Sequence, residues 1–130
     1  MAKDNFQTIF EQLKAILQKH EAGMVVTADM PASYSLDSKL LGPNGKPLFF
    51  GAAKVNKNYV SFYMMPVYMF PDLLDGISPA LKKRMQGKSC FNFTELDPKL
   101  FAELKALTKA GSARFDKVDW KKFEAGMKKG

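Results

Sequence analysis

The first regular pattern along the chain is apolar at helical spacing. Phe6, Ile9, Phe10, Leu13 and Leu17 recur every three or four residues within 4–20. That is the stripe an amphipathic helix turns toward a core. Asp4 stands where an N-cap is wanted, and Gln7 sits three residues on, as in a capping box. Gly23 follows, where a left-handed residue would close the helix. The period then changes from helical to alternating. Residues 24–29 (MVVTAD) are rich in β-branched side chains and predict a strand. Met30-Pro31 stops it, because proline has no N–H to give to a ladder. Residues 34–41 predict a second strand, with Tyr34, Leu36 and Leu40 on one face. Gly42-Pro43-Asn44-Gly45 is a turn. Residues 48–55 form a third strand, whose Gly51, Ala52 and Ala53 leave room for a helix close above. Asn56-Lys57-Asn58 is a second turn, and residues 59–65 are a fourth strand. Loops this short join strands two to four only as an antiparallel meander.

The second half is broken by prolines. Residues 66–76 hold a turn of helix around Pro71–Leu74. Ser78-Pro79 couples a cap to a proline at the first helical position. It opens a short helix with Ile77, Leu81 and Met85 on one side, closed by Gly87. Cys90–Phe93 is a fifth strand. Asp97-Pro98 repeats the cap and proline, and Leu100, Phe101, Leu104 and Leu107 then point inward until Gly111 stops the helix. Residues 116–129 read as a last basic helix with Trp120, Phe123 and Met127 in line. The expected class is α+β: an antiparallel β-sheet of about five strands, with helices mainly on one face, in the order α-β-β-β-β-α-β-α. Residues 1–115 form the domain, and 116–130 are a basic helical extension.

Composition narrows the function. At 130 residues the chain is one domain, and 11 Phe supply bulky core material. The single cysteine excludes an internal disulfide and a multi-cysteine zinc site. The N-terminus lacks the apolar run of a signal peptide, and no stretch reaches the ~18 apolar residues of a membrane span. A cytoplasmic protein with no membrane partner is expected. The formal net charge is +7. Residues 1–70 hold 7 basic and 5 acidic side chains, and residues 71–130 hold 13 and 8. Such an excess attracts phosphates, but no nucleic-acid recognition element accompanies it, so weak phosphate-driven nucleic-acid association is a secondary reading.

The chemistry-bearing residues are few. Gly87-Lys88-Ser89 resembles the tail of a phosphate-binding loop, but Lys82 occupies the place of the required first glycine. The helix also precedes the loop rather than following it. Cys90 has Lys88 two residues away, while the only histidine, His20, sits at the end of the first helix, so no base is in view for a nucleophilic thiol. Met64 and Met65 are adjacent in a strand and so point to opposite faces, which disfavours a copper(I) site with Met69. Tyr59, Phe62, Tyr63, Tyr68 and Phe70 are spaced for base stacking or equally for a half-buried strand. Asp72 with Asp75, and Glu95 with Asp97, are the carboxylate pairs a hard metal would use. No Ser/His/Asp trio and no general acid–base pair is visible. The expectation is a non-enzymatic domain without a cofactor. With Phe91 and Phe93 toward the helices, Cys90 and Asn92 face the other side of the sheet. A groove there is expected, with Lys46, Arg84 and Lys88 holding an anion and Tyr34, Tyr63 and Cys90 walling a small anionic or planar ligand. The competing use of that face is a homodimer contact.

Three segments also resemble a known family. Met30-Pro31-Ala32 with Tyr34 close behind is similar to its Gly-Met-Pro-Ala-Tyr segment. Gly45-Lys46-Pro47-Leu48 followed by FFGAAKVNKNYVSFYMMP resembles its central hairpin. Ser78-Pro79 with KKRMQGKSCFNF resembles the segment ending in Gly-Lys and a Phe-bearing strand. In this order they resemble the YdhG-like family, domain of unknown function 1801, over roughly residues 20–115. The resemblance implies a compact cytoplasmic bacterial α+β domain. Some members are described as frataxin-like iron chaperones, which makes iron binding, through Asp72 and Asp75, the alternative reading. The chain departs from the family in the extra Ser33, in the extension after residue 115, and in a first helix without an acidic ridge.

Overall fold

The computed structural model describes residues 2–41 and 47–117. Its core rests on the first helix, α1 (Ala2–Gln18). Phe6, Ile9, Phe10, Leu13 and Leu17 are buried as their spacing requires, joined by Ile16. Each such side chain contributes about 1.5–3 kcal/mol by leaving water. The helix starts at Ala2, so Asp4 lies inside its first turn rather than at its cap. The Gln7 side chain does not cap either. Its amide donates to the carbonyl of Pro31 (3.0 Å) and ties α1 to the first strand turn. A 3-10 turn, Glu21–Gly23, follows α1. Gly23 does not take the left-handed conformation: Gly87, at φ 81°, is the one residue with positive φ among the described residues.

Among the described residues the sheet has six antiparallel strands in the order β1-β2-β3-β4-β6-β5. They are β1 (Met24–Met30), β2 (Ser33–Leu41), β3 (Pro47–Val55), β4 (Val60–Met64), β5 (Met85–Gln86) and β6 (Cys90–Phe93). The first four make a meander, with register shifts beside Val26 and Asp37. The α+β class and the one-sided packing match the sequence pattern. Tyr34 pairs with Ala53, Ala53 with Phe62 and Phe62 with Phe91 across four strands, and all four are buried on the helix side. Gly51 lies under α1: a Cβ there would come 3.0 Å from Leu17 Cδ2 and 2.9 Å from the Tyr63 carbonyl oxygen. The close helix expected over the small residues is therefore present.

The differences lie between residues 64 and 90. Met65 does not continue β4 but begins a short helix, α2 (Met65–Met69). Pro66 ends the ladder because it has no N–H to pair. A 3-10 turn, Pro71–Leu74, comes next. The helix after Ser78 is only α3 (Pro79–Lys82), and Met85 lies in β5. Gly87 therefore sits in a hairpin turn between β5 and β6, not at a helix end. This hairpin is the sixth strand that the apolar spacing of Leu81 and Met85 concealed. The last helix of the described residues, α4 (Pro98–Lys117), passes through Gly111 without stopping. There the missing side chain lets α4 approach α2. A Cβ on Gly111 would be 2.9 Å from Pro66 Cβ and 3.0 Å from Met64 Cε. The caps at Ser78 and Asp97 form as expected: Ser78 Oγ accepts from Leu81 N (3.2 Å) and Asp97 Oδ1 from Leu100 N (3.2 Å). No helix of the described residues is long and apolar enough to cross a membrane. The turn at Gly42 to Gly45, the Leu40 side chain, Lys46, and residues 118–130 with Trp120, Phe123 and Met127 lie outside the described residues.

Candidate functional site

Alternation along β6 sends Phe91 and Phe93 into the core and Cys90 and Asn92 to the opposite face of the sheet. Cys90 pairs with Tyr63 and Asn92 with Ser61 across the β4 ladder. The polar groups on this face form a connected chain. Asn56 Nδ2 donates to Ser61 Oγ (2.8 Å), and Ser61 Oγ donates to Asn92 Oδ1 (2.7 Å). Cys90 Sγ donates to the same oxygen (3.3 Å), and Asn92 Nδ2 donates to Gln86 Oε1 (2.5 Å). Partial burial pushes the Cys90 thiol up from its ordinary pKa, against the smaller opposing effect of its hydrogen-bonding neighbours. A thiol held protonated is a poor nucleophile. His20 lies on the helix side against Phe50 (centroids 6.2 Å apart), so the sheet stands between the two residues.

Six residues were expected to share one groove, and they do not. Tyr63 and Cys90 meet on the open face. Tyr34 points the other way and is fully buried. Its hydroxyl donates to Glu21 Oε2 (2.5 Å), and Lys14 Nζ lies 5.4 Å from its ring centroid. Burial and the Glu21 carboxylate push its phenol pKa well up. Register fixes its place. Tyr34 pairs with Ala53 and Leu36 with Gly51, so the small residues of β3 leave the volume that Tyr34 fills beneath α1. Arg84 lines a small depression beside Glu95 and Asp97. Lys46 is outside the described residues. Lys88 leaves the sheet altogether, on the β5–β6 turn.

That turn borders a groove of about 580 Å³ between the hairpin and the passage from α2 to the 3-10 turn. Val67, Pro71, Leu74 and Met85 make its apolar surface, with Tyr68 and Lys88 at its edges. Tyr68 is 54% exposed although it is one of the bulkiest side chains in the chain. The hairpin places Lys88 there because Gly87 takes a left-handed turn, which an L side chain adopts only with strain. No Cβ clash forbids another residue at Gly87, so the constraint is purely conformational. Only Lys88 of this lining was expected. The signal for the others was the coincidence of an aromatic residue with a run of prolines in 66–71, a segment that can neither join the sheet nor form a long helix.

Of the candidate metal carboxylates, Asp97 caps α4 and Asp72 is held by an arginine. Arg114 grips Asp72 with both arms (2.8 and 3.1 Å) while its guanidinium lies 4.7 Å from the Phe70 ring centroid. The Arg114 hydrogen bond holds the Asp72 carboxyl below its ordinary pKa. Among the described residues no group of three or more His, Cys, Asp or Glu side chains gathers as a metal site would. The aromatic residues of the central segment do not form one stacking platform. Phe62 is buried on the helix side, Tyr63 is on the open face, and Phe70 packs edge-on against Phe115 (6.4 Å). Comparison with known proteins gives no match: no family model, no curated protein and no solved structure aligns significantly with this chain.

Proposed function

We propose that the chain is a small non-enzymatic ligand-binding domain of the YdhG-like type, and that the groove beside Lys88 takes a planar or apolar molecule bearing one anionic group. The observation that carries this reading is the groove itself. Apolar lining supplies burial, an exposed Tyr68 supplies a flat aromatic wall, and a single ammonium at the rim supplies orientation. A volume of about 580 Å³ falls within the ~300–1,000 Å³ usual for small-molecule sites. The family part of this reading rests on the three sequence segments similar to the YdhG-like family.

The test uses 2-naphthoate, a planar anion, titrated into the 15N-labelled protein. The expected result is shifts at the amides of Tyr68, Leu74, Met85 and Lys88. Tyr68→Ala and Lys88→Glu should each weaken binding by about tenfold, equivalent to ~1.4 kcal/mol. Absence of shifts at these amides, or binding indifferent to both substitutions, removes the reading.

A further inference from the structure

We propose that a second cleft, between the C-terminal end of α1 and the middle of α4, binds a small anionic amphiphile: a carboxylate, sulfonate or phosphate head on a short alkyl or single-ring body. This site is separate from the Lys88 groove and does not depend on it. The cleft measures about 370 Å³. Its floor is one stripe of α4, Ala102, Lys105, Ala106 and Lys109, spaced i, i+3, i+4 and i+7 so that all four share a face. Lys19 and His20 close it from the α1 side. The lining is largely carbon, from two alanine methyls and three lysine stems, and the same lysines bring three ammonium groups to the cleft. Lysine builds such amphipathic walls readily, because its stem lies on apolar surface while its head stays in water.

Charge gives the cleft its preference. Three lysines converge on it, and no carboxylate pairs with any of them in the ion pairs of the described residues, which join Lys14 to Asp29 and Arg114 to Asp72. Lys19 and Lys105 both line the cleft, and the neighbouring Lys105 ammonium holds that of Lys19 below its ordinary pKa. Neighbouring like charges repel, and an anion placed between them turns the repulsion into two attractions. Lys19 has another reason for its place, since a cation just past the end of α1 offsets the helix dipole. Lys105 and Lys109 stand in the middle of α4, where the helix dipole does not call for them. The alanines between them leave the floor open where any larger residue would fill it. A bare inorganic anion would satisfy the lysines and leave the apolar floor wet, and a neutral tail would do the reverse. An amphiphile satisfies both.

The experiment titrates octyl phosphate into the 15N-labelled protein and compares it with octyl glucoside, which has the tail without the charge, and with inorganic phosphate. Octyl phosphate is expected to shift the amides of Lys19, His20, Lys105 and Lys109 at about millimolar concentration or below. Each control should bind about tenfold more weakly or worse. The exposed double substitution K105E/K109E, its fold checked by circular dichroism, should cost at least about tenfold. Ala106→Trp should block binding without changing charge, and Lys88→Glu should leave it unchanged. Octyl glucoside binding as tightly as octyl phosphate overturns the proposal. So does octyl phosphate binding unaffected by K105E/K109E, or the absence of shifts at the four cleft amides, whatever shifts appear at the Lys88 groove.

Discussion

At the scale of single residues, Tyr34 shows how a polar atom is accommodated under a helix. Its ring is buried and its hydroxyl is bonded to the Glu21 carboxylate. A hydrogen bond to a charged acceptor contributes about 1.5–3 kcal/mol, so Tyr34→Phe should lower the unfolding free energy by ~1–2 kcal/mol in urea titration. Adding Glu21→Gln should cost less in the Tyr34→Phe background than alone, because the two share one interaction. The identity of Tyr34 as a strand residue was legible from its neighbours. Its direction was legible too, in the alternation that sets it on one face with Leu36, and the expected groove set that alternation aside. His20 makes a second prediction at this scale. Burial, with help from Lys19, holds its imidazole below the ordinary pKa of about 6.5. The unfolded chain therefore binds a proton that the folded one resists. Stability should be unaffected by this group above that value and should fall as pH drops below it, levelling once the folded imidazole also protonates. Urea midpoints at about pH 7.5 and 5.5 should separate for the natural protein, and the separation should shrink in His20→Gln.

At the scale of elements, the glycines distinguish conformation from contact. Gly87→Ala should cost about 1–2 kcal/mol, because the β5–β6 turn demands a left-handed backbone there. Gly111→Ala sets two effects against each other. Helix propensity favours alanine by ~1 kcal/mol, while overpacking against the rigid Pro66 ring costs about 1–3 kcal/mol. The contact should win, and thermal melts should show destabilisation. Gly76→Ala, with nothing within 4 Å, should change little. These elements also mark where a sequence pattern runs out. The stripes of α1 and the start of α4 were plain because each is long and periodic. The hairpin was hidden because two residues of strand, Met85 and Gln86, cannot show a period at all. Gly111 looked like a stop because its reason for being glycine lies in another element, at Pro66.

At the scale of the molecule, α4 organises both candidate grooves. One stripe of it floors the lysine-rimmed cleft. Other positions anchor the passage that borders the Lys88 groove. Glu103 accepts from both the backbone N–H and the hydroxyl of Ser78 (2.8 and 2.7 Å), and Arg114 holds Asp72. Of the six residues expected in one groove, five are described: Tyr34, Tyr63, Arg84, Lys88 and Cys90. The fold distributes them over the helix side, the open sheet face, a depression near the start of α4 and the hairpin turn. Strand alternation alone brought Tyr63 and Cys90 together correctly. The loops that carry Arg84 and Lys88 obey no such period.

The contact of Gly111 with Pro66 has one more consequence, for assembly. A helix that slid or rotated by one residue would bring Ala110 or Ser112 against the proline ring, and either carries an atom where there is room for none. The absent side chain works as a keyway: α4 can seat in one position along the molecule and is refused in the adjacent ones. The alignment of everything α4 touches is thus set by a hole rather than by a bond.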